Sequence, residues 1–206
     1  MPKETFFNLP EAKKRRVVEA ALDEFAQNTY YKASINRIVK KADIAKGSFY
    51  QYFADKKDIY RYIINIIGQR KLKYLQQVIE NMDEFPFFQL LREIYKAGIK
   101  FARNHPRLNK IGNNLYQNQK LLNEIIEDQK YISNDFFINL LEKGKKEGEV
   151  DPDINIELTA HILTNMNVSL GEYIYKAKNK HKINLEDMEI VDKMLYIIEH
   201  GISSKS

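Results

Sequence analysis

Cysteine is absent from the 206-residue sequence, which excludes disulfide bonds, thiolate metal sites and a cysteine nucleophile. The sequence also lacks a Gly-rich phosphate-binding loop and a Gly-x-Ser-x-Gly nucleophile elbow. Histidine is scarce, and its four copies show no spacing typical of metal ligands: His105, His161, His181 and His200. We therefore expect a protein that is not an enzyme and that needs neither a metal nor another cofactor.

Long apolar runs are absent as well. The longest stretches, such as residues 63–67, are far too short to span a bilayer. Residues 1–10 are polar and lack the apolar core of a signal peptide. We expect a cytoplasmic protein without a membrane partner.

Glycine and proline are few, with 8 and 5 residues, and apolar residues recur at spacings of three and four. This pattern predicts an all-α fold of about nine helices, and the 44% hydrophobic content can fill its core. Asp55 is placed to cap a long fourth helix, so we predict one domain over residues 1–55 and a larger helical domain over residues 56–206. A further long helix is expected over residues 118–143, ended by Gly144 and Gly148.

Positive charge is concentrated near the N-terminus. The first 60 residues hold 12 Lys and Arg against 8 Asp and Glu, whereas the rest hold 21 against 20. With a net charge of +5, the chain can bind a polyanion. An ordinary solvated basic surface would have the same composition.

The most informative segment covers residues 34–58. Ser34 can cap a short helix, a tight turn follows at Asp43, and a second short helix covers about residues 45–52. The inward set of this pair is Ile35, Ile38, Ala42, Ile44 and Phe49. Two short helices around a tight turn form a helix-turn-helix whose second helix can enter a major groove. That helix presents donors for phosphates and base edges: Lys46, Ser48, Tyr50, Gln51 and Tyr52.

Residues 46–53, KGSFYQYF, followed by DKKD at 55–58, closely resemble the DNA-binding helices of the tetracycline-repressor family. The order of helices resembles that family along the whole chain, but only the first 60 or so residues carry a specific motif. The resemblance implies that Ser34 and Tyr50 hold phosphates, that Lys46, Gly47 and Ser48 lie against the groove, and that Lys56 grips a phosphate. Gln51 and Tyr52 are further candidates. Each residue also has a plainer alternative. Tyr50 and Tyr52 would be packing aromatics, Lys46 and Lys56 would be solvated charges, and Gly47 would only ease the turn.

Two positions depart from the family's pattern. Asp43 stands where glycine is usual, and it can adopt the left-handed conformation that the turn requires. Ala45 stands where a capping Ser or Thr is usual, which removes a cap worth about 1 kcal/mol. We therefore expect the second helix to be ordered only on DNA.

Two apolar stripes near the C-terminus suit helix-on-helix packing. They predict an interface through which two subunits form a four-helix bundle, with contacts from Leu163, Met166, Leu170, Tyr173, Val191, Leu195 and Ile198. The alternative is that each stripe faces the core of its own domain.

By resemblance, the chain is a homodimeric repressor that binds a near-palindromic operator in double-stranded DNA and leaves it when a small molecule enters the larger domain. Polar or aromatic groups on apolar helix faces are the candidate contacts to this effector: Tyr95, Asn113, Tyr116, His161 and Asn165. The plainer alternative for His161 is a histidine that is hydrogen-bonded within the protein or lies on its surface, without contact to an effector. The chemical class of the effector is not readable from the sequence. An activator, a nucleoid-type DNA binder, and a helical enzyme or carrier are the other functions considered.

Overall fold

The computed structural model describes residues 1–125, 130–177 and 187–202, which form eleven α-helices and no strand. The predicted all-α class is thus confirmed. In chain order the helices are α1 (Glu4–Phe7), α2 (Glu11–Gln27), α3 (Ile35–Ala42), α4 (Lys46–Tyr52), α5 (Lys56–Glu80), α6 (Phe87–Asn104), α7 (Pro106–Tyr116), α8 (Gln119–Ile125), α9 (Lys130–Lys146), α10 (Ile156–Ala177) and α11 (Met188–Ile202), with a 3-10 turn at Met82–Glu84.

The chain divides into two compact units. The N-terminal unit comprises Met1–Arg70 and His105–Ile125, and the C-terminal unit comprises Lys71–Asn104 and the described part of Ile126–Ser206. Helices α7 and α8 therefore lie with the N-terminal helices. The boundary at residue 55 was placed at the predicted start of the long fourth helix, and it stays a prediction.

The N-terminal unit is built on α2, which packs against α3 and α7. Its fully buried residues include Leu22, Phe25, Ile38, Phe49 and Ile59. Each such side chain stabilises the fold by about 1.5 to 3 kcal/mol through burial. Opposite charges join α7 to α2, because the guanidinium of Arg107 pairs with both Glu19 and Asp23.

Helix α5 begins with a reciprocal cap, as the sequence predicts for Asp55. The Asp55 carboxylate accepts a hydrogen bond from the Asp58 N–H at 2.8 Å, and the buried Asp58 carboxylate accepts one from the Ala54 N–H at 3.0 Å. One open donor in the first turn of the helix and the N–H of the residue before the cap are thus satisfied.

The core of the C-terminal unit is formed by α6, α9, α10 and α11, and its most buried members include Phe87, Leu91, Leu141, Leu163 and Val191. Close packing explains a glycine in this unit. A Cβ at Gly144 would lie 2.6 Å from Val150 Cγ2 and 2.9 Å from the Phe87 ring, so only glycine fits there.

Helix α9 differs from the prediction at its end, because it runs through Gly144 to Lys146. Gly148, with φ of 76°, follows the helix in the left-handed conformation that glycine adopts at low cost. The helix expected over residues 118–143 corresponds to α8 and α9, and residues 126–129 of it lie outside the described residues.

Candidate nucleic-acid interface

The turn between α3 and α4 adopts the geometry expected of a helix-turn-helix. Asp43 has φ of 54° and ψ of 55°, and it is the only non-glycine residue with positive φ in the described part of the chain. The Ile44 N–H donates to the Val39 carbonyl at 3.1 Å, which closes the end of α3. An Asp in place of the usual glycine therefore still makes the turn, as predicted.

Helix α4 has an inward and an outward face. Phe49 is fully buried, and its ring packs edge-on against Tyr50 with 5.3 Å between the centroids. The outward face carries exposed residues and the half-buried Ser48: Lys46, Gly47, Ser48, Tyr50 and Gln51. Tyr50 is 43% exposed, so its hydroxyl is accessible to a phosphate. The structure thus brings five of the predicted DNA contacts together on one short helix.

Tyr52 lies on the other face of α4, which favours the packing alternative for this residue. Its side chain is only 5% exposed, and its ring lies 6.2 Å from that of Phe6. The Lys13 ammonium lies 5.8 Å from the centre of the Tyr52 ring. Ring packing thus accounts for the burial of Tyr52, and its contact with DNA stays a prediction.

Gly47 has no structural need to be glycine. Its φ lies outside the left-handed region, and an added Cβ would meet no described atom within 4 Å. Since the fold does not require the missing side chain, easing the turn is a weak explanation for it. Close approach of the α4 backbone to another molecule is the stronger one.

Ser34 stands at the N-cap position of α3, but its side chain makes no capping hydrogen bond, contrary to the expectation for this residue. Instead its backbone N–H donates to the Glu24 carboxylate at 2.9 Å. The half-buried hydroxyl is therefore not used by the cap and can turn to a phosphate.

Glu24 holds the loop between α2 and α3, a role that the sequence did not reveal. Arg37 donates to its carboxylate through Nε at 3.0 Å and Nη2 at 2.6 Å, and Asn28 donates at 3.2 Å. Burial by itself would raise the pKa of Glu24, but the hydrogen bonds from Arg37 and from the Ser34 N–H outweigh it and hold the pKa below its usual value. The carboxylate is therefore charged and fixes the start of α3.

Lys56 contacts the same loop. Its ammonium donates to the Ala33 carbonyl at 3.0 Å and to the Tyr31 carbonyl at 3.4 Å, and it lies 4.7 Å from the centre of the Tyr30 ring. Two of its three protons are thus engaged within the protein, which leaves one for a phosphate. The predicted phosphate contact stays a prediction.

The candidate effector residues lie in different parts of the chain. Tyr95 is buried in the core of the C-terminal unit, where its hydroxyl has no hydrogen-bond partner among the described residues and burial raises its pKa to about 12. His161 and Asn165 are exposed neighbours on α10, joined at 3.1 Å, which is the surface role considered for His161. Asn113 and Tyr116 belong to α7 of the N-terminal unit. The five candidates thus belong to two units of the chain, and their roles stay predictions.

The candidate interface residues fall into two groups. Tyr173 is 61% exposed. The others are buried in the core of the C-terminal unit or packed against it: Leu163, Met166, Leu170, Val191, Leu195 and Ile198. This burial favours the alternative that the stripes face the core of their own unit, and the predicted interface role of these residues stays a prediction. Among the described side chains of α10 and α11, the exposed large apolar ones are Leu158, Ile162, Tyr173, Tyr196 and Ile197.

The described residues show neither a membrane-spanning helix nor a cluster of metal ligands. None of their helices combines the length and hydropathy needed to cross a membrane. No group of three or more acidic, His or Cys side chains suited to a metal ion occurs among them.

A basic helix-turn-helix unit joined to a helical unit defines a class of DNA-binding transcription regulators, and the comparisons place the chain within that class. Residues 17–63 match the family of bacterial regulatory proteins called tetR, and residues 85–203 match the tetracyclin repressor-like C-terminal domain. The chain belongs to the tetracycline-repressor family.

Several relatives support this assignment. A TetR-family transcriptional regulator from Chloroflexus aurantiacus J-10-fl is 33% identical, and the match covers 100% of both chains with a TM-score of 0.76. The fatty acid metabolism regulator protein of Bacillus subtilis (strain 168) is 25% identical over 155 residues, covering 72% of this chain and 76% of the relative. The transcriptional regulator FadR from Bacillus subtilis, solved with stearoyl-CoA, shares the fold at 19% identity, 91% and 98% coverage and a TM-score of 0.73. All three are regulator proteins.

Proposed function

We propose that this protein is a homodimeric repressor that holds a near-palindromic operator through α3 and α4, and that a small molecule bound in the C-terminal unit releases it. The observation that carries the proposal is the outward face of α4, where Lys46, Gly47, Tyr50 and Gln51 are exposed on a helix fixed by the Asp43 turn. Such a face can bind DNA in the cytoplasm. An enzyme or a carrier would have no use for it.

The residues of this face divide by chemistry. The Gln51 amide suits an adenine edge, and the Lys46 ammonium suits the acceptors of guanine. The hydroxyls of Ser34 and Tyr50 and the remaining proton of Lys56 suit phosphate oxygens, which fix the position of the protein without reading sequence. Ser48 lies at the rim of the same face.

Selection from random DNA, followed by binding titrations at several salt concentrations, tests the assignment. We expect a near-palindromic site, and we expect Lys46→Ala and Gln51→Ala each to weaken binding to it by about 1 to 3 kcal/mol while affecting random DNA less. Lys100→Ala, at an exposed position of α6, is the matched control and should retain wild-type binding. If both α4 variants keep wild-type affinity and sequence preference, the proposed readout is contradicted. If the wild-type protein binds no DNA, the function itself is refuted.

Dimerisation is proposed through the exposed apolar surface of α10 and α11. Ile197 is 70% exposed and Tyr173 is 61% exposed, and they lie on the two last helices together with Leu158 and Ile162. A monomer seldom leaves so many large apolar side chains in water without a partner. A second copy of the same surface would cover them in a two-fold dimer, and its symmetry would account for a near-palindromic operator.

The effector is proposed to be an apolar molecule with a polar group, and long acyl compounds are the first class to test. One support is the Bacillus subtilis relative, which regulates fatty acid metabolism. The other is the buried Tyr95 hydroxyl, which has no partner in the described structure and offers a hydrogen bond to a ligand in an apolar surrounding. An effector releases DNA only if it binds the DNA-incompetent state more tightly.

Stearoyl-CoA is the probe for this part of the proposal. We expect it to lower operator affinity of the wild-type protein and to act less strongly on Tyr95→Phe. A panel of acyl compounds that leaves both operator affinity and melting temperature unchanged would contradict an acyl effector. An activator or a nucleoid-type protein without an effector would then fit better.

A further inference from the structure

The segment before α2 reaches the end of the recognition helix α4. Its residues 3–7 form a short arm that includes α1, and the match to the DNA-binding family domain begins only at residue 17. Phe6 anchors this arm, since its ring is fully buried and lies 4.9 Å from the ring of Phe53 and 5.4 Å from that of Tyr62.

The arm satisfies the carbonyl groups that α4 itself leaves open. The last four carbonyls of any helix have no partner within the helix. In α4, the Phe49 carbonyl accepts from the Phe53 N–H at 2.9 Å. The other three accept from the arm: the Lys3 ammonium donates to the Tyr50 carbonyl at 2.9 Å, the Thr5 hydroxyl donates to the Gln51 carbonyl, and the Lys3 N–H donates to the Tyr52 carbonyl at 2.8 Å.

Charge favours the same arrangement. The carboxyl end of a helix carries partial negative charge, which the Lys3 ammonium complements. At the other end of α4, Ala45 makes no side-chain cap. A helix of seven residues is far too short to be stable alone in water. The order of α4 therefore depends on contacts at its carboxyl end and on its buried face.

We infer that Lys3 and Thr5 are positioning residues for DNA recognition: they hold the carboxyl end of α4, and so the exposed side chains of Tyr50 and Gln51, in the geometry that reads the operator. The inference rests on the proposed role of α4 in DNA binding. Thr5 makes a sharper test than Lys3, because its side chain is uncharged. Its substitution therefore leaves the long-range electrostatic attraction to DNA unchanged.

The experiment compares Thr5→Val, Thr5→Ser and wild type for binding to the selected operator and to random DNA at several salt concentrations. Thr5→Val should lose operator affinity about threefold to tenfold, which corresponds to one net hydrogen bond, with a smaller loss on random DNA and an unchanged salt slope. Thr5→Ser keeps the hydroxyl and should restore the operator preference. Thr159→Val is the matched control, since it removes the same kind of hydrogen bond, from hydroxyl to the Asn155 carbonyl, in α10.

Hydrogen exchange of the free protein separates this inference from the proposed function. Amides of α4 should exchange faster in Thr5→Val than in wild type, while those of α10 should not. If the wild-type protein binds no DNA, the proposed function fails, and exchange still decides whether the arm orders α4. Wild-type operator preference in Thr5→Val, an equal loss on both DNAs, or unchanged exchange in α4 would overturn the inference.

Discussion

Gly47→Ala separates what the fold needs from what DNA binding needs. Gly47 is exposed in the first turn of α4, its φ is not left-handed, and a Cβ placed there meets no described atom within 4 Å. Alanine is therefore compatible with the free protein. Because glycine costs more backbone entropy in a helix than alanine, the substitution should stabilise the folded state by about 0.5 to 1 kcal/mol.

The two effects can be measured side by side. For a chain of this length, 1 kcal/mol corresponds to a shift in Tm of roughly 2 to 4 °C, so Tm should rise by roughly 1 to 4 °C. Operator affinity should fall on the order of tenfold or more, because a methyl group would keep the α4 backbone away from the groove and a lost base contact costs about 1 to 3 kcal/mol. Thermal unfolding and operator titration are the two assays.

Two other glycines serve as controls. Gly68 is exposed inside α5 and has the same free space for a Cβ, so Gly68→Ala should raise Tm without weakening DNA binding. Gly144→Ala should lower stability by about 1 to 3 kcal/mol, because its Cβ would clash with Val150 and Phe87. Wild-type operator affinity in Gly47→Ala would refute the argument that this glycine permits close approach to DNA.

Four further outcomes are expected. Glu24→Gln leaves the donors of its carboxylate poorly satisfied and should lower the free energy of unfolding by about 1 to 3 kcal/mol in urea titrations; a loss below about 0.5 kcal/mol would contradict its role. Asp23 and Glu24 have folded-state pKa values below their ordinary 3.8 and 4.5, so their stabilisation is present above those values, and unfolding followed against pH should show it lost below about pH 4. Tyr173→Asp combined with Ile197→Asp should give monomers in sedimentation at micromolar concentration, and a persistent dimer would exclude the proposed surface. Lys56→Ala should reduce the salt slope of DNA binding by about one unit, because the remaining proton of the ammonium is proposed to bind a phosphate. An unchanged slope would mean that Lys56 only stabilises the loop.

Local signals in the sequence sufficed for the all-α class, the turn and the recognition helix. The left-handed Asp43 and the capping Asp55 each act within a few residues of their own position, so the printed sequence predicts them directly. The outward face of α4 follows from the same local spacing. Its contacts with DNA are a separate matter and stay proposals.

Contacts between distant residues were not predictable in this way. Glu24 and Arg37 are 13 residues apart, and the Lys3 and Tyr50 contact joins residues 47 apart. The burial of Tyr52 was not predictable for the same reason, because only the position of Phe6 in the fold shows that its ring is enclosed. No periodicity along the chain encodes such pairs.

The C-terminal stripes left two roles open because α10 and α11 are apolar on more than one face. Helical spacing finds a stripe such as Leu163 and Leu170, but it cannot tell a face that meets the core from one that meets a partner. In the structure that stripe faces the core, whereas Ile162 and Tyr173 face outward. Burial, not periodicity, distinguishes the face that packs on the core from the exposed face.

The missing cap at Ala45 led to the expectation that α4 is ordered only on DNA, and the structure offers a different way to order it. The buried ring of Phe49 holds its middle, and the arm of residues 3–7 satisfies its last carbonyls. A helix that is ordered by folding loses little conformational entropy when DNA binds, so more of the contact energy remains as affinity. Destabilising the arm would shift that ordering cost to the binding step, where it reduces the affinity for the operator.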